Sequence, residues 1–190
     1  MPYLSKDDRQ RMLELARRAV SDAVTRRELP EVIPKEGIFG ERRGVFVTLH
    51  VRGDLRGCIG TTEGDEPLGE AIVRCAASAA LHDPRFSPMR TEELGGLEIE
   101  ISLLSPIVPI RAEEIEIGRH GLVISDNGHR GLLLPQVAAE HGLSREEFLA
   151  ETCRKARLPR DAWERASTRI EGFTCEVFSE GEKSEGMTGV

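Results

Sequence analysis

Apolar positions in this chain recur with two periods, and the switches between them mark out helices and strands. Leu13, Ala16, Val20 and Val24 are spaced for one face of a helix. Ser5-x-x-Asp8 ahead of them places a hydroxyl to accept a helix-start N–H, so the spacing predicts a helix over 6–28 that ends before Pro30. Val45, Val47, Leu49 and Val51 then alternate with Phe46, Thr48, His50 and Arg52, a strand with one strongly apolar face. Gly53-Asp54 supplies a turn, and Leu55 to Thr61 returns as the second strand of a hairpin. Pro67 opens a second helix, whose stripe of Leu68, Ala71, Ile72, Cys75, Ala76 and Ala79 ends near His82. Its alanines fit close packing on a sheet.

Asp83-Pro84-Arg85-Phe86-Ser87-Pro88 reads as a rigid loop, and Leu97, Ile99, Ile101 and Leu103 as a half-exposed strand. A second hairpin follows, turning at Asp126-Asn127-Gly128. Pro135 starts a short helix that stops at Gly142, and Ser144-x-x-Glu147 caps another that runs to about Leu158. The last strand spans Thr168 to Phe178, with Ile170, Phe173, Cys175 and Val177 as its apolar positions. Residues 181–190 are rich in Gly, Ser and Glu and read as a disordered tail behind one domain over 5–180. Gly53-x-x-Arg56-Gly57 in the first hairpin and Gly128-x-Arg130-Gly131 in the second are each followed by a proline and a helix. Such a strand-hairpin–helix duplication predicts an α+β fold of two related lobes, a mixed sheet with packed helices.

Composition narrows the function more than the fold. The chain has 190 residues, enough to bury a core without a disulfide or metal staple. Its net charge of −7 and its 4% aromatic content weigh against nucleic-acid binding. A local excess of basic residues over 1–60, 12 against 9 acidic, is mild and reads as a solvated helix face. The start of the chain lacks a signal-peptide core, and no apolar run is long enough to span a membrane. Cys58, Cys75, Cys153 and Cys175 form no C-x-x-C pair, so they read as free thiols in a reducing cytoplasm. His50, His82, His120, His129 and His141 show no metal-ligand spacing. Neither metal nor cofactor is implied.

Leu55-Arg56-Gly57-Cys58-Ile59-Gly60 is the segment most able to carry chemistry. Two glycines weaken a strand and mark a bulge or the close approach of a backbone or ligand. Cys58 between them is either a reactive thiol or a small core residue. Hairpin register bears on the choice. A Gly53-Asp54 turn pairs Leu49 with Cys58 and sets Cys58 on the face of Val47 and Val51. A three-residue loop would set His50 opposite Cys58 as a base, but also Arg52 opposite Arg56, and like charges repel there. The first register is preferred. A helix over 67–82, about 24 Å long, runs back along the strand and is expected to end away from Cys58, with His82 capping its C-terminus. Glu98 and Glu100 share a strand face that reads as solvated. The Gly60–Pro67 loop carries Glu63, Asp65 and Glu66, which would repel a phosphate. Arg52-Gly53-Asp54 is read as a turn and not as an adhesion motif.

These residues resemble the AMMECR domain family, whose signature hexapeptide matches Leu55–Gly60. The resemblance runs through Phe46-Val47-Thr48-Leu49, Asp83-Pro84-Arg85-Phe86, Glu93-Leu94, Gly118 to Leu122, Leu133 to Ala138 and Cys153-Arg154-Lys155-Ala156, to Trp163. Ala156-Arg157-Leu158 departs from the Ala-Gly-Leu of relatives, which counts against a tight left-handed turn there. The resemblance implies an α+β fold with a larger and a smaller lobe around a cleft near the hexapeptide. Prokaryotic members resemble component A of the AmmeMemoRadiSam system, so a Memo-like protein and a radical-SAM enzyme are the implied partners. Three functions compete. In the first, the chain binds a peptide, a small molecule or a partner through Arg56, Gly57, Gly60 and Arg85, and presents a substrate. In the second, Cys58 is a nucleophile or carrier. The third is nucleic-acid regulation. The lack of a base or metal beside Cys58 favours binding.

Overall fold

The structure, a computed structural model, describes residues 4–25, 29, 33–62 and 64–181. The expected helical turn at 26–28 and the tail past residue 181 lie outside the described residues. The chain divides into two compact units, one of residues 1–103 and 176–190, the other of residues 104–175. Both are built from antiparallel strands and helices, and the α+β class holds.

In the first unit, helix α1 (Lys6–Val24) starts where the sequence placed it, with the Ser5 side chain accepting from the Asp8 N–H. Strands β1 (Val45–Val51) and β2 (Asp54–Thr61) form the hairpin, helix α2 (Leu68–Leu81) follows, and β3 (Leu97–Leu104) pairs with the other side of β1. β2 is the edge of the sheet. Val45, Val47 and Leu49 of β1 and Ile99, Ile101 and Leu103 of β3 share one core with the stripes of α1 and α2. The opposite face of this sheet carries Phe46, Thr48 and His50, with Glu98, Glu100 and Ser102 beside them in register.

In the second unit, β5 (His120–Asp126) and β6 (His129–Leu133) form a hairpin whose pairing runs without interruption. Helices α3 (Pro135–Glu140) and α4 (Arg145–Lys155) complete a core around Leu122, Ile124, Phe148, Leu149 and Cys153. The two-residue β4 (Val108–Pro109) and β5 both pair with β7 (Arg169–Ser179). β7 changes units at Cys175–Glu176. That explains one correction. Phe173 and Phe178 are its buried aromatics, while Val177 is 39% exposed. Ile170 packs against the core of the second unit and Phe178 belongs to that of the first, so one strand serves both.

A second correction concerns the end of α4. Arg157 takes the left-handed conformation, φ +60°, in spite of its side chain. Leu158 N–H donates to the Cys153 carbonyl and Arg157 N–H to that of Arg154, a complete Schellman end. The tight turn forms without glycine.

Candidate functional site

The hexapeptide follows a turn that the sequence misplaced by one residue. Arg52 and Gly53, not Gly53 and Asp54, are its central pair, both with positive φ, 55° and 88°. A two-residue turn of that kind matches the twist of the strands it joins. Val51 then pairs with Asp54 and His50 with Leu55, but Leu49 pairs with Gly57. Arg56 is the extra residue of a β-bulge. Neither register weighed from the sequence is the one found. Thr48 stands opposite Cys58. Cys58 therefore lies on the half-exposed face with Phe46, Thr48 and His50, away from Val47 and the core. Thr48 Oγ1 donates to its Sγ at 3.2 Å. His50 is opposite Leu55 and is not hydrogen-bonded to the thiol.

Both glycines of the hexapeptide answer to packing. A Cβ on Gly57 would fall on the carbonyl oxygen of Ala79, so α2 lies directly on the strand there. A Cβ on Gly60 would strike the Phe46 ring. The close approach the sequence signalled is that of protein against protein.

The end of α2 does reach Cys58, contrary to expectation. Asp83, two residues beyond the helix, accepts the Cys58 backbone N–H at 2.8 Å. It also accepts three bonds from Arg85, from its backbone N–H at 3.1 Å, Nε at 3.0 Å and Nη2 at 2.7 Å. Arg85 Nη2 in turn donates to the Cys58 carbonyl at 3.4 Å. Asp83 and Arg85 thus take both outward backbone groups of Cys58, as a neighbouring strand would. The Arg85 guanidinium, together with the Cys58 and Arg85 amides, holds the Asp83 carboxyl far below the usual carboxylate range, although burial opposes this. In an antiparallel ladder the outward groups recur at every second residue. Gly60 therefore turns its N–H and C=O to the same edge, where no hydrogen bond from a described residue meets them.

Arg56 leaves the bulge sideways. Its Nε and Nη2 hold Glu93 at 2.7 and 3.2 Å, with both side chains less than a fifth exposed. Glu93 also accepts the Arg90 N–H at 2.8 Å. The Arg56 guanidinium, and after it the Arg90 amide, lowers the Glu93 carboxyl below its ordinary value. The Phe86 ring lies within 6 Å of both the Arg56 and the Arg85 guanidinium. Each arginine of the site thus has its own carboxylate.

Sequence reasoning singled out Cys58, Arg56, Gly57, Gly60 and Arg85 as candidates and did not name Asp83, Glu93 and Thr48, which the structure places against them. An Asp-Pro pair just past a helix is a turn signal, and Asp83 does bond the N–H two residues on. Its bond to Cys58 spans 25 residues and leaves no local trace. Burial raises the thiols of Cys75 and Cys175 to about 11 and pushes that of Cys153 above its ordinary value. No cluster of three or more metal-ligating side chains exists among the described residues. No helix among them is long and apolar enough to cross a membrane.

Comparison with known proteins places this arrangement. A Methanothermobacter thermautotrophicus protein is 42% identical over 187 residues, covering 93% of this chain and 96% of its own. A Pyrococcus furiosus protein is 43% identical, covering 89% and 86%. The crystal structure of the uncharacterised protein PH0010 from Pyrococcus horikoshii superposes with a TM-score of 0.75 at 40% identity, over 90% of each chain. Residues 13–178 match AMMECR1, and with identities of this order over nearly the whole length the chain belongs to the AMMECR1 family.

Proposed function

We propose that the protein is a cytoplasmic binding component that presents a substrate through the outer edge of β2, at Cys58–Gly60. It acts there with a Memo-like protein and a radical-SAM enzyme in a modification pathway. One observation carries the docking reading. At Cys58 the sheet edge is occupied by the side-chain pair Asp83–Arg85, while the outward backbone groups of Gly60 meet no hydrogen bond from a described residue. Unpaired strand edges template added strands, and proteins block those they do not use. A clamp made of one carboxylate and one half-exposed guanidinium is a block that an incoming strand can displace. The family resemblance supports the choice of partners.

Hydrogen exchange on the full chain tests this. Adding the Memo-like protein or the radical-SAM enzyme is expected to slow exchange of the Gly60 amide, and Cys58→Ala is expected to keep that protection. Unchanged Gly60 exchange with both partners would sink the docking strand. A second reading rests on the Thr48 hydroxyl donating to the Cys58 sulfur, which would stabilise a thiolate. It makes Cys58 a nucleophile, and it gains if Cys58→Ala abolishes turnover by the assembled proteins while Gly60 stays protected.

A further inference from the structure

The second unit contains a groove of about 760 Å³ that the reading above does not use. Leu133, Val137 and Leu143 give it an apolar floor, and Arg154, Lys155 and Arg157 a cationic rim. That volume is in the range of small-molecule sites. Glu151, also on its wall, is held by both Arg154 at 2.6 Å and Arg160 at 2.7 Å. Lys155 and Arg157 form no ion pair with the described residues. Two cations per carboxylate, with two further cations unpaired, is a local excess of positive charge on a chain whose net charge is −7.

The helix explains part of this. Arg154 and Lys155 stand in the last turn of α4, where any cation is favoured by the carbonyl end. Arg157 stands past that end and gains little from it. It also occupies a left-handed position, φ +60°, where glycine carries no penalty. The facing wall shows the ordinary solution, because α3 ends in the same type of turn with Gly142 at φ +60°. A side chain kept at an unfavourable backbone position on a cavity wall points to a use for that side chain.

We propose that this groove binds a small carboxylate carried on an apolar body, with the carboxylate at Arg157 and Lys155 and the body on Leu133, Val137 and Leu143. This inference is independent of the docking strand in the first unit. The apolar floor and the cationic rim demand a ligand with both properties, and neither alone should suffice.

Octanoate is the probe, titrated into the ¹⁵N-labelled full chain, with octanol and acetate as matched controls that each lack one half of the chemistry. Octanoate is expected to shift amides of residues 133–143 and 151–158 and to bind about tenfold more tightly than either control. Arg157→Gly is expected to raise the thermal midpoint, since it relieves the backbone, and to weaken octanoate about three- to fivefold. Equal binding of octanol would reduce the groove to an apolar surface, and equal binding of acetate would leave an adventitious ion only. Either result, or an unchanged octanoate affinity in Arg157→Gly, overturns the proposal. A peptide of alternating Asp and Leu that shifts the same amides more tightly than octanoate overturns it too.

Discussion

The two hairpins of this molecule are built alike and differ by one residue. In each, the third position before the turn, Leu49 or Ile124, is buried and faces a glycine, Gly57 or Gly131. In each, a Cβ on that glycine would fall on helix backbone, that of Ala79 or of Ala156. The hairpin with Gly128-x-Arg130-Gly131 reaches its glycine in regular pairing, whereas the one with Gly53-x-x-Arg56-Gly57 spends an added residue on the bulge. The outward backbone positions also differ. Cys58 is clamped by Asp83 and Arg85, while no side chain among the described residues bonds the equivalent Leu132. The second hairpin shows what the scaffold requires, which is a turn, a glycine and a helix. The bulge, the Arg56–Glu93 pair and the clamp exceed that requirement. Gly57, matched by Gly131, is architecture, and these additions are the part of the hexapeptide on which the proposed docking rests.

The strongest way to break the comparison is to test what the hairpins share. Gly57→Ala and Gly131→Ala each push a methyl group into helix backbone that cannot yield like a flexible side chain. Each should cost about 3 kcal/mol, read by urea unfolding. If only one of them is costly, the hairpins are not equivalent and the argument from excess fails. The next test converts the first hairpin into the second. Deleting Arg56 leaves Leu55 opposite His50 and Gly57 opposite Leu49, with the bulge gone. The deletion should fold, lose about 2 kcal/mol through the stranded Glu93 carboxylate, and lose partner binding at the β2 edge. Failure to fold would make the bulge structural.

Sequence patterning revealed the parts that repeat and hid those that do not. Alternation along Val45–Val51 gave the strand and its buried face, and the Ser5 and Ser144 caps gave the helix starts. Register was lost because a bulge leaves hydrophobic alternation nearly intact: Leu55 and Ile59 still read as one strand. The clue was present in the one-residue difference between the two Gly–Arg-Gly segments. Asp83 and Glu93 could not be found locally, because their partners Cys58 and Arg56 lie 25 and 37 residues away. The turn at Arg157 was hidden for another reason. Glycine is the usual signal for a left-handed helix end, and here the hydrogen bonds of that end form without it.

Acid sharpens the contrast at the clamp. The folded-state pKa of Asp83 is depressed, chiefly by Arg85. Its contribution to stability is therefore complete above the unfolded carboxyl pKa of about 3.9 and is lost as pH falls below that toward the folded value. Asp83→Asn keeps an acceptor for the Cys58 N–H but gives up the charge. Because the Arg85 side chain is 54% exposed, solvent screening holds the expected loss near pH 7 to about 1 kcal/mol. The variant and the parent should converge in stability as pH drops from 5 to 2. Parallel curves over that interval would show that the Asp83 charge does not hold the clamp.

The smallest expected effect separates the backbone edge from the thiol. Cys58 is half-buried on the open face of the sheet, Cys75 and Cys153 are buried, and burial holds the Cys175 thiol at about 11. At pH 8 a small methylthio reagent should therefore modify Cys58 first, as peptide mass spectrometry would show. The modified sulfur projects from the sheet face beside Thr48, whereas the proposed docking groups of Cys58 and Gly60 lie in the plane of the sheet. A strand added along that edge meets the backbone and not the sulfur. Modification should change stability and partner affinity by less than about twofold. A large loss of affinity would place the partner over the face and not along the edge, and would return the thiol to the centre of the site.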